Sequence, residues 1–195
     1  IGADVVTRIG SVMAWAAAAG IGLGYLRLGS RLLVLTGIPD ALDGAVAKAS
    51  GTSSSRGAYF DSVADRLTDA LLFGGVAWHL ATVRTDHMMM LPVAIMATAM
   101  FISYQRAKAE SLGYDAKGGL MERAERFLVL AFGLVFSEIL IPVLWVMRAP
   151  SVVTAGRRFV KVGGQAAAGR NVPVLPGRDP PRRGRGAARR GPRRR

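Results

Sequence analysis

The chain has no cysteine in its 195 residues. That absence excludes a disulfide scaffold, a cysteine-ligated zinc site and a thiol nucleophile. Histidine is almost as scarce. His79 and His87 are the only two, and they lie away from Asp40, Asp43, Asp61 and Asp65, which assigns them structural roles. Acidic residues are half as numerous as basic ones, 13 against 26, for a net charge of +13. What the chain has in abundance is apolar surface: 51% of its residues are hydrophobic, with a mean hydropathy of +0.29.

High hydropathy and high charge conflict until the charge is located. Residues 165–195 hold ten Arg against the single Asp179. The chain therefore divides into an apolar body, 1–162, and a basic tail, 163–195. The tail is rich in Gly, Pro, Ala and Arg with no apolar period, a composition that predicts disorder. Its charge suits anionic headgroups. Without an aromatic platform or a binding motif, nucleic acid is not an expected partner.

The body reads as membrane spans. Ile9 to Leu26 and Met88 to Tyr104 carry no charge, and Leu67 to Val83 carries only Asp69. A bilayer span needs about 20 mainly apolar residues. The pattern predicts an all-α integral membrane protein of six helices, at 5–26, 30–49, 58–83, 87–108, 122–136 and 139–160, around a cytoplasm-facing polar cavity. Soluble helices of this length keep a polar stripe, which 9–26 and 88–104 lack. One set of connections holds Lys48, Arg56, Arg106, Lys108, Lys117, Arg123, Arg126, Arg157, Arg158 and Lys161. The other holds only Arg27, Arg31 and Arg84. The excess of positive charge places the first set, and both termini, in the cytoplasm.

Four carboxylates fall at that cytoplasmic face. Asp40 and Asp43 are three apart on the second helix, and Asp61 and Asp65 are four apart on the third, so each pair shares a helix face. Carboxylates at membrane depth are costly and mark function. Four of them facing one another need a cation between them, and hard oxygen donors suit Mg²⁺, Mn²⁺ or Ca²⁺. Two such ions about 4 Å apart suit phosphoryl chemistry. The linking segment brings small residues, Lys48, Arg56 and a run of hydroxyls at Thr52 to Ser55. Arg106, Arg126 and Arg158 end the fourth, begin the fifth and end the sixth helix, where three cations can grip a phosphate. Glu122 and Glu125 read as first-turn acids favoured by the helix dipole.

Asp40-x-x-Asp43-Gly44-x-x-Ala47-Lys48, then eight residues, then Gly57-x-x-x-Asp61-x-x-x-Asp65 resembles the signature of the CDP-alcohol phosphatidyltransferases, with Lys48 where the family has Arg. Ile102-Ser103-Tyr104-x-x-Ala107-Lys108 and Gly118-Gly119-x-x-Glu122-Arg123-x-Glu125-Arg126 look most like the actinobacterial phosphatidylinositol phosphate synthases within it. Asp4-Val5-Val6-Thr7 resembles that group's N-terminal motif. An amphipathic helix precedes the motif there, so this chain looks N-terminally shortened.

The resemblance implies transfer of the phosphatidyl group of CDP-diacylglycerol to inositol 1-phosphate, releasing CMP. Glycerol 3-phosphate is the alternative acceptor. It implies two Mg²⁺ (or Mn²⁺) ions, one on Asp40, Asp43 and Asp61 and the other on Asp40, Asp61 and Asp65, with Asp65 also the base. It places the CDP moiety against Asp4, Val5, Val6, Thr7, Gly44, Lys48 and Ser54. The acceptor phosphate falls to Ser103, Arg106, Arg126 and Arg158. It further implies a homodimer in the cell membrane. The residues alone leave a second class open, a small cation transporter using the carboxylates as an ion path. Against it, the acids gather at one face instead of lining the membrane depth.

Overall fold

A computed structural model describes the backbone of residues 3–36, 55–121 and 123–169, with side chains of 10–36, 57–121 and 123–169. Every regular element among the described residues is helical. Helix α1 is Ala3–Gly22, and α2 covers 26–36. Then come α3 Ser55–Val83, α4 Met90–Ser111, α5 Arg123–Val135 and α6 Leu140–Ala167. Single 3₁₀ turns, His87–Met89 and Ser137–Ile139, lead into α4 and α6.

The first break comes earlier than charge alone predicts. The expected connection was Arg27–Arg31, but those residues are already helical and the turn lies at Leu23–Tyr25. Gly24 is the cause. Its φ of 91° is left-handed. The Gly24 N–H donates to Ile21 O at 3.0 Å and the Tyr25 N–H to Gly20 O at 2.8 Å, the paired bonds that close a Schellman cap. At the other end of the chain, α6 runs on through Gly163–Ala167, which composition assigned to the tail. Gln165 holds this extension to the α4–α5 connection: its Nε2 donates to Asp115 O at 2.7 Å, and the Asp115 N–H donates to its Oε1 at 2.9 Å. The rest of the tail, from 170, lies outside the described residues, as does 37–54 of the second helix and its following turn.

The helices pack in a chain of neighbours, α1 on α3, α3 on α4, α4 on α6 and α5 on α6. Ala17, Ala18 and Ile21 of α1 and Leu72, Phe73 and Val76 of α3 belong to one fully apolar core with Ile95, Leu130, Leu134, Leu144 and Met147. Small residues let the backbones approach: a methyl group built on Gly75 would lie 2.4 Å from Ala18 O. The Ser30 hydroxyl ties α2 to α5 through Ala131 O at 2.9 Å. Consecutive helices run antiparallel. Arg66, early in α3, therefore bonds Ser103, late in α4, and the first half of α3, the end of α4, the start of α5 and the end of α6 meet at one pole.

The helical stretches His87–Ser111 and Ser137–Ala167 are long and apolar enough to cross a membrane, while Gly10–Gly22 is apolar but shorter. At 22 residues, α4 is about 33 Å long, matching a hydrocarbon core of about 30 Å. Helix α3 has the length, but Asp61, Asp65, Arg66 and Asp69 load its first half with charge. Trp15, Trp78, Phe132, Trp145 and Val153 point outward, an apolar exterior too broad for water.

Candidate functional site

Asp61 and Asp65 project from one side of α3 into a cleft that also takes in Gly10, Ser11 and Ala14 of α1, Thr36 of α2, Thr68, and Arg123 of α5. Two carboxylates of the expected four thus line a common cleft at the pole where the basic residues gather. Their hard oxygen donors fit Mg²⁺ or Mn²⁺. Among the described residues no three His, Asp or Glu side chains come together as a metal-binding group. Asp40 and Asp43 fall outside those residues, as do Gly44, Lys48 and Ser54. Asp4, Val5, Val6 and Thr7 fall on the first turns of α1, described as backbone only.

The cationic side of the cleft comes from α5. Arg123 Nη1 lies 2.5 Å from Asp65 Oδ1, and its Nε lies 3.5 Å from Asp69 Oδ1. Its guanidinium carbon stands 4.8 Å above the centre of the Phe127 ring, a cation–π contact one turn along the same helix. Arg66 Nη2 approaches Asp65 from the other side at 3.7 Å. Arg126 Nη2, three residues beyond Arg123, pairs with Asp69 Oδ2 at 3.1 Å. Asp69 is fully buried and Arg126 nearly so. A buried carboxylate is tolerable because a bound guanidinium compensates its lost hydration.

The four residues expected to hold the acceptor phosphate are distributed around the same pole. Ser103 accepts from Arg66 Nη1 and donates to Ala99 O at 2.8 Å. Arg158 reaches across from α6 and forks between two carbonyls, Ile102 O on α4 and Gly118 O in the α4–α5 connection, each at 2.9 Å. Arg126 Nη1 donates to Met121 O of that connection at 3.4 Å. Arg126 and Arg158 therefore clasp one segment, 118–121, from opposite helices. Arg106 lies farther out on α4, exposed, with its Nε on Glu110 Oε1 at 2.8 Å. Beside Arg158 opens a cavity of about 270 Å³, lined by Lys117, Gly119, Thr154, Arg157 and Lys161. Its basic walls suit an anion.

Asp69 and Arg66 were not singled out from the sequence. Asp69 extends the Asp61, Asp65 series by one more step of four, the signal that marks it for the same helix face. No comparable pattern marks Arg66.

Among the described residues, a helical bundle gathers Asp61 and Asp65 with Arg66, Arg123, Arg126 and Arg158 at one pole, an arrangement that suits a phosphoryl-group transferase. The chain belongs to the CDP-alcohol phosphatidyltransferase family, whose sequence profile matches residues 4–160. It is a phosphatidyltransferase of phospholipid biosynthesis. It is similar to the phosphatidylinositol phosphate synthase of Mycobacterium marinum, 33% identical over 187 residues that cover 90% of this chain and 80% of that protein. Two solved structures of the Mycobacterium tuberculosis phosphatidylinositol phosphate synthase share the fold. The one with CDP-DAG bound superposes with a TM-score of 0.76 at 30% identity, covering 83% of this chain and 86% of that one. The one in complex with manganese and citrate gives 0.77 at 29% identity, covering 84% and 83%.

Proposed function

We propose that this chain transfers the phosphatidyl group of CDP-diacylglycerol to a hydroxyl of inositol 1-phosphate, giving phosphatidylinositol phosphate and CMP. The observation that carries this reading is the shared cleft of Asp61 and Asp65, set within the 26-position signature from Asp40 to Asp65. The relatives the chain is similar to are named phosphatidylinositol phosphate synthases, which favours that acceptor over glycerol 3-phosphate.

Asp40, Asp43, Asp61 and Asp65 hold two divalent ions, with Mg²⁺ the expected occupant and Mn²⁺ a substitute. When bound, the ions offset charge on the diphosphate and on the departing CMP. Asp65 accepts the proton of the attacking hydroxyl. Asp4 to Thr7, Gly44, Lys48 and Ser54 contact the CDP moiety. Lys48 acts on it as a point charge, without the planar fork of the arginine usual there. Ser103, Arg106, Arg126 and Arg158 orient the acceptor through its phosphate. Acyl chains lie against the outward apolar faces. The chain is read as a six-span homodimeric protein of the cell membrane with this pole in the cytoplasm.

The test is an acceptor panel. Purified chain with Mg²⁺ and CDP-diacylglycerol is offered inositol 1-phosphate, glycerol 3-phosphate, free inositol or serine, and both CMP and lipid product are scored. CMP release with inositol 1-phosphate, lost in Asp65→Asn, is the expected result. Equal rates with Asp65→Asn, or turnover with free inositol alone, would overturn the assignment.

A further inference from the structure

Arg123 sits between two carboxylates of unequal standing. Its Nη1 is tight on Asp65 at 2.5 Å, while its Nε is only loosely placed toward Asp69 at 3.5 Å. The Asp65 side chain is 20% exposed on the cleft, and that of Asp69 is 1% exposed. Asp69 Oδ2 accepts from Arg126 Nη2, but its Oδ1 accepts no hydrogen bond among the described residues. A buried carboxylate oxygen without a donor is costly, and the nearest cation is already aimed at it. The Phe127 ring lies under the guanidinium itself, 4.8 Å from its central carbon, so the ring supports the head group beside both carboxylates.

From this geometry we infer that Arg123 is a displaceable counter-ion. It neutralises Asp65 while no divalent ion is bound, and it withdraws onto Asp69 Oδ1 when one arrives. The inference rests on Asp65 being a metal ligand, as read above. A guanidinium at contact distance on Asp65 competes with a divalent ion for that carboxylate, because the two cations repel at close range. Retreat to Asp69 supplies the guanidinium with a partner and fills the vacant acceptor, so loading the cleft leaves no charge stranded. Asp69 is then a positioning residue: it touches no substrate and acts by holding Arg126 permanently and Arg123 conditionally. Arg66 cannot play the same part, since it is farther from Asp65 and engages Ser103.

The experiment measures Mn²⁺ binding to the full chain in detergent by the loss of the free-ion electron paramagnetic resonance signal, without substrate. Arg123→Gln is expected to bind Mn²⁺ about tenfold tighter than the wild type, because the competing charge is gone. Arg123→Lys, which keeps that charge, and Arg66→Gln are expected to stay within about threefold of it. Unchanged or weaker binding by Arg123→Gln overturns the inference. So does equal tightening by Arg66→Gln, which would mean a general charge effect, or by Arg123→Lys. Asp61→Asn separates the two readings. If the wild type binds Mn²⁺ and Asp61→Asn does not, the metal reading stands whatever Arg123 does. If the wild type binds none, both fall.

Discussion

Asp69 and Arg126, 57 positions apart, face each other at 3.1 Å with their side chains 1% and 4% exposed. The pair fastens the start of α5 to the middle of α3, and with it the arginines that border the cleft. Removing one partner leaves the other charge buried alone. Asp69→Asn is expected to destabilise the fold by about 3–5 kcal/mol. Asp69→Leu combined with Arg126→Met is expected to recover most of that loss, since similar-sized apolar pairs often replace buried ion pairs without cost. Thermal unfolding in detergent checks both. A double variant no more stable than Asp69→Asn would show that the pair does more than compensate its own burial.

Arg158 makes a different kind of demand on its side chain. Its two bonds diverge to carbonyls on separate elements, Ile102 O and Gly118 O. A planar fork meets both, whereas a lysine ammonium at the same place meets one at best. Arg158→Lys is expected to loosen the 118–121 segment, raising amide exchange there, and to raise KM for the phosphorylated acceptor by about tenfold, the worth of one charged hydrogen bond. Exchange unchanged at 118–121 would remove the clasp from the account.

The sequence made the later helices legible and the first turn not. The uncharged run Met88 to Tyr104 located α4, because a membrane-length stretch without charge has few other structures open to it. The α1–α2 turn was placed by Arg27 and Arg31, yet Gly24 decides it, since only a residue comfortable at positive φ can close the cap. The Gly163–Ala167 extension of α6 contradicts local composition because Gln165 is held by Asp115, fifty residues away, and tertiary contacts override propensity. That Asp61 and Asp65 share one face of α3 is readable from their spacing. The partnership of Asp69 with Arg126 is not, because no periodicity within one helix reports which arginine of another will face it.

At Gly75 the backbones of α1 and α3 approach closely. A Cβ there would stand 2.4 Å from Ala18 O, a backbone atom that cannot swing aside. Gly75→Val is expected to push the helices apart and cost about 1–3 kcal/mol by overpacking. Since both helices line the cleft, activity should fall with stability. Gly74→Ala is the control: nothing lies within 4 Å of its added methyl, so it should leave the melting point near that of the wild type.

Asp115 gives the α4–α5 connection a pH dependence. Its carboxyl is held below its ordinary value, first by the Lys117 backbone N–H and then by the Lys161 ammonium. Oδ1 accepts from the Lys117 N–H and Oδ2 pairs with Lys161 Nζ, both at 2.9 Å. A carboxyl with a lowered folded-state pKa adds stability that is present above its unfolded value and is lost as pH falls through the folded one. The segment from 115 to 121 should therefore keep its amide protection at neutral pH and lose it below about pH 4, where free aspartate protonates. Lys161→Gln should raise the pH at which protection is lost, because one of the two groups holding the carboxylate charged is gone. Hydrogen exchange across this segment between pH 3 and pH 7 measures the shift. Identical profiles for the variant and the wild type would mean that the Lys117 amide alone sets the carboxyl's charge and that the α6 extension does not brace the loop through Lys161.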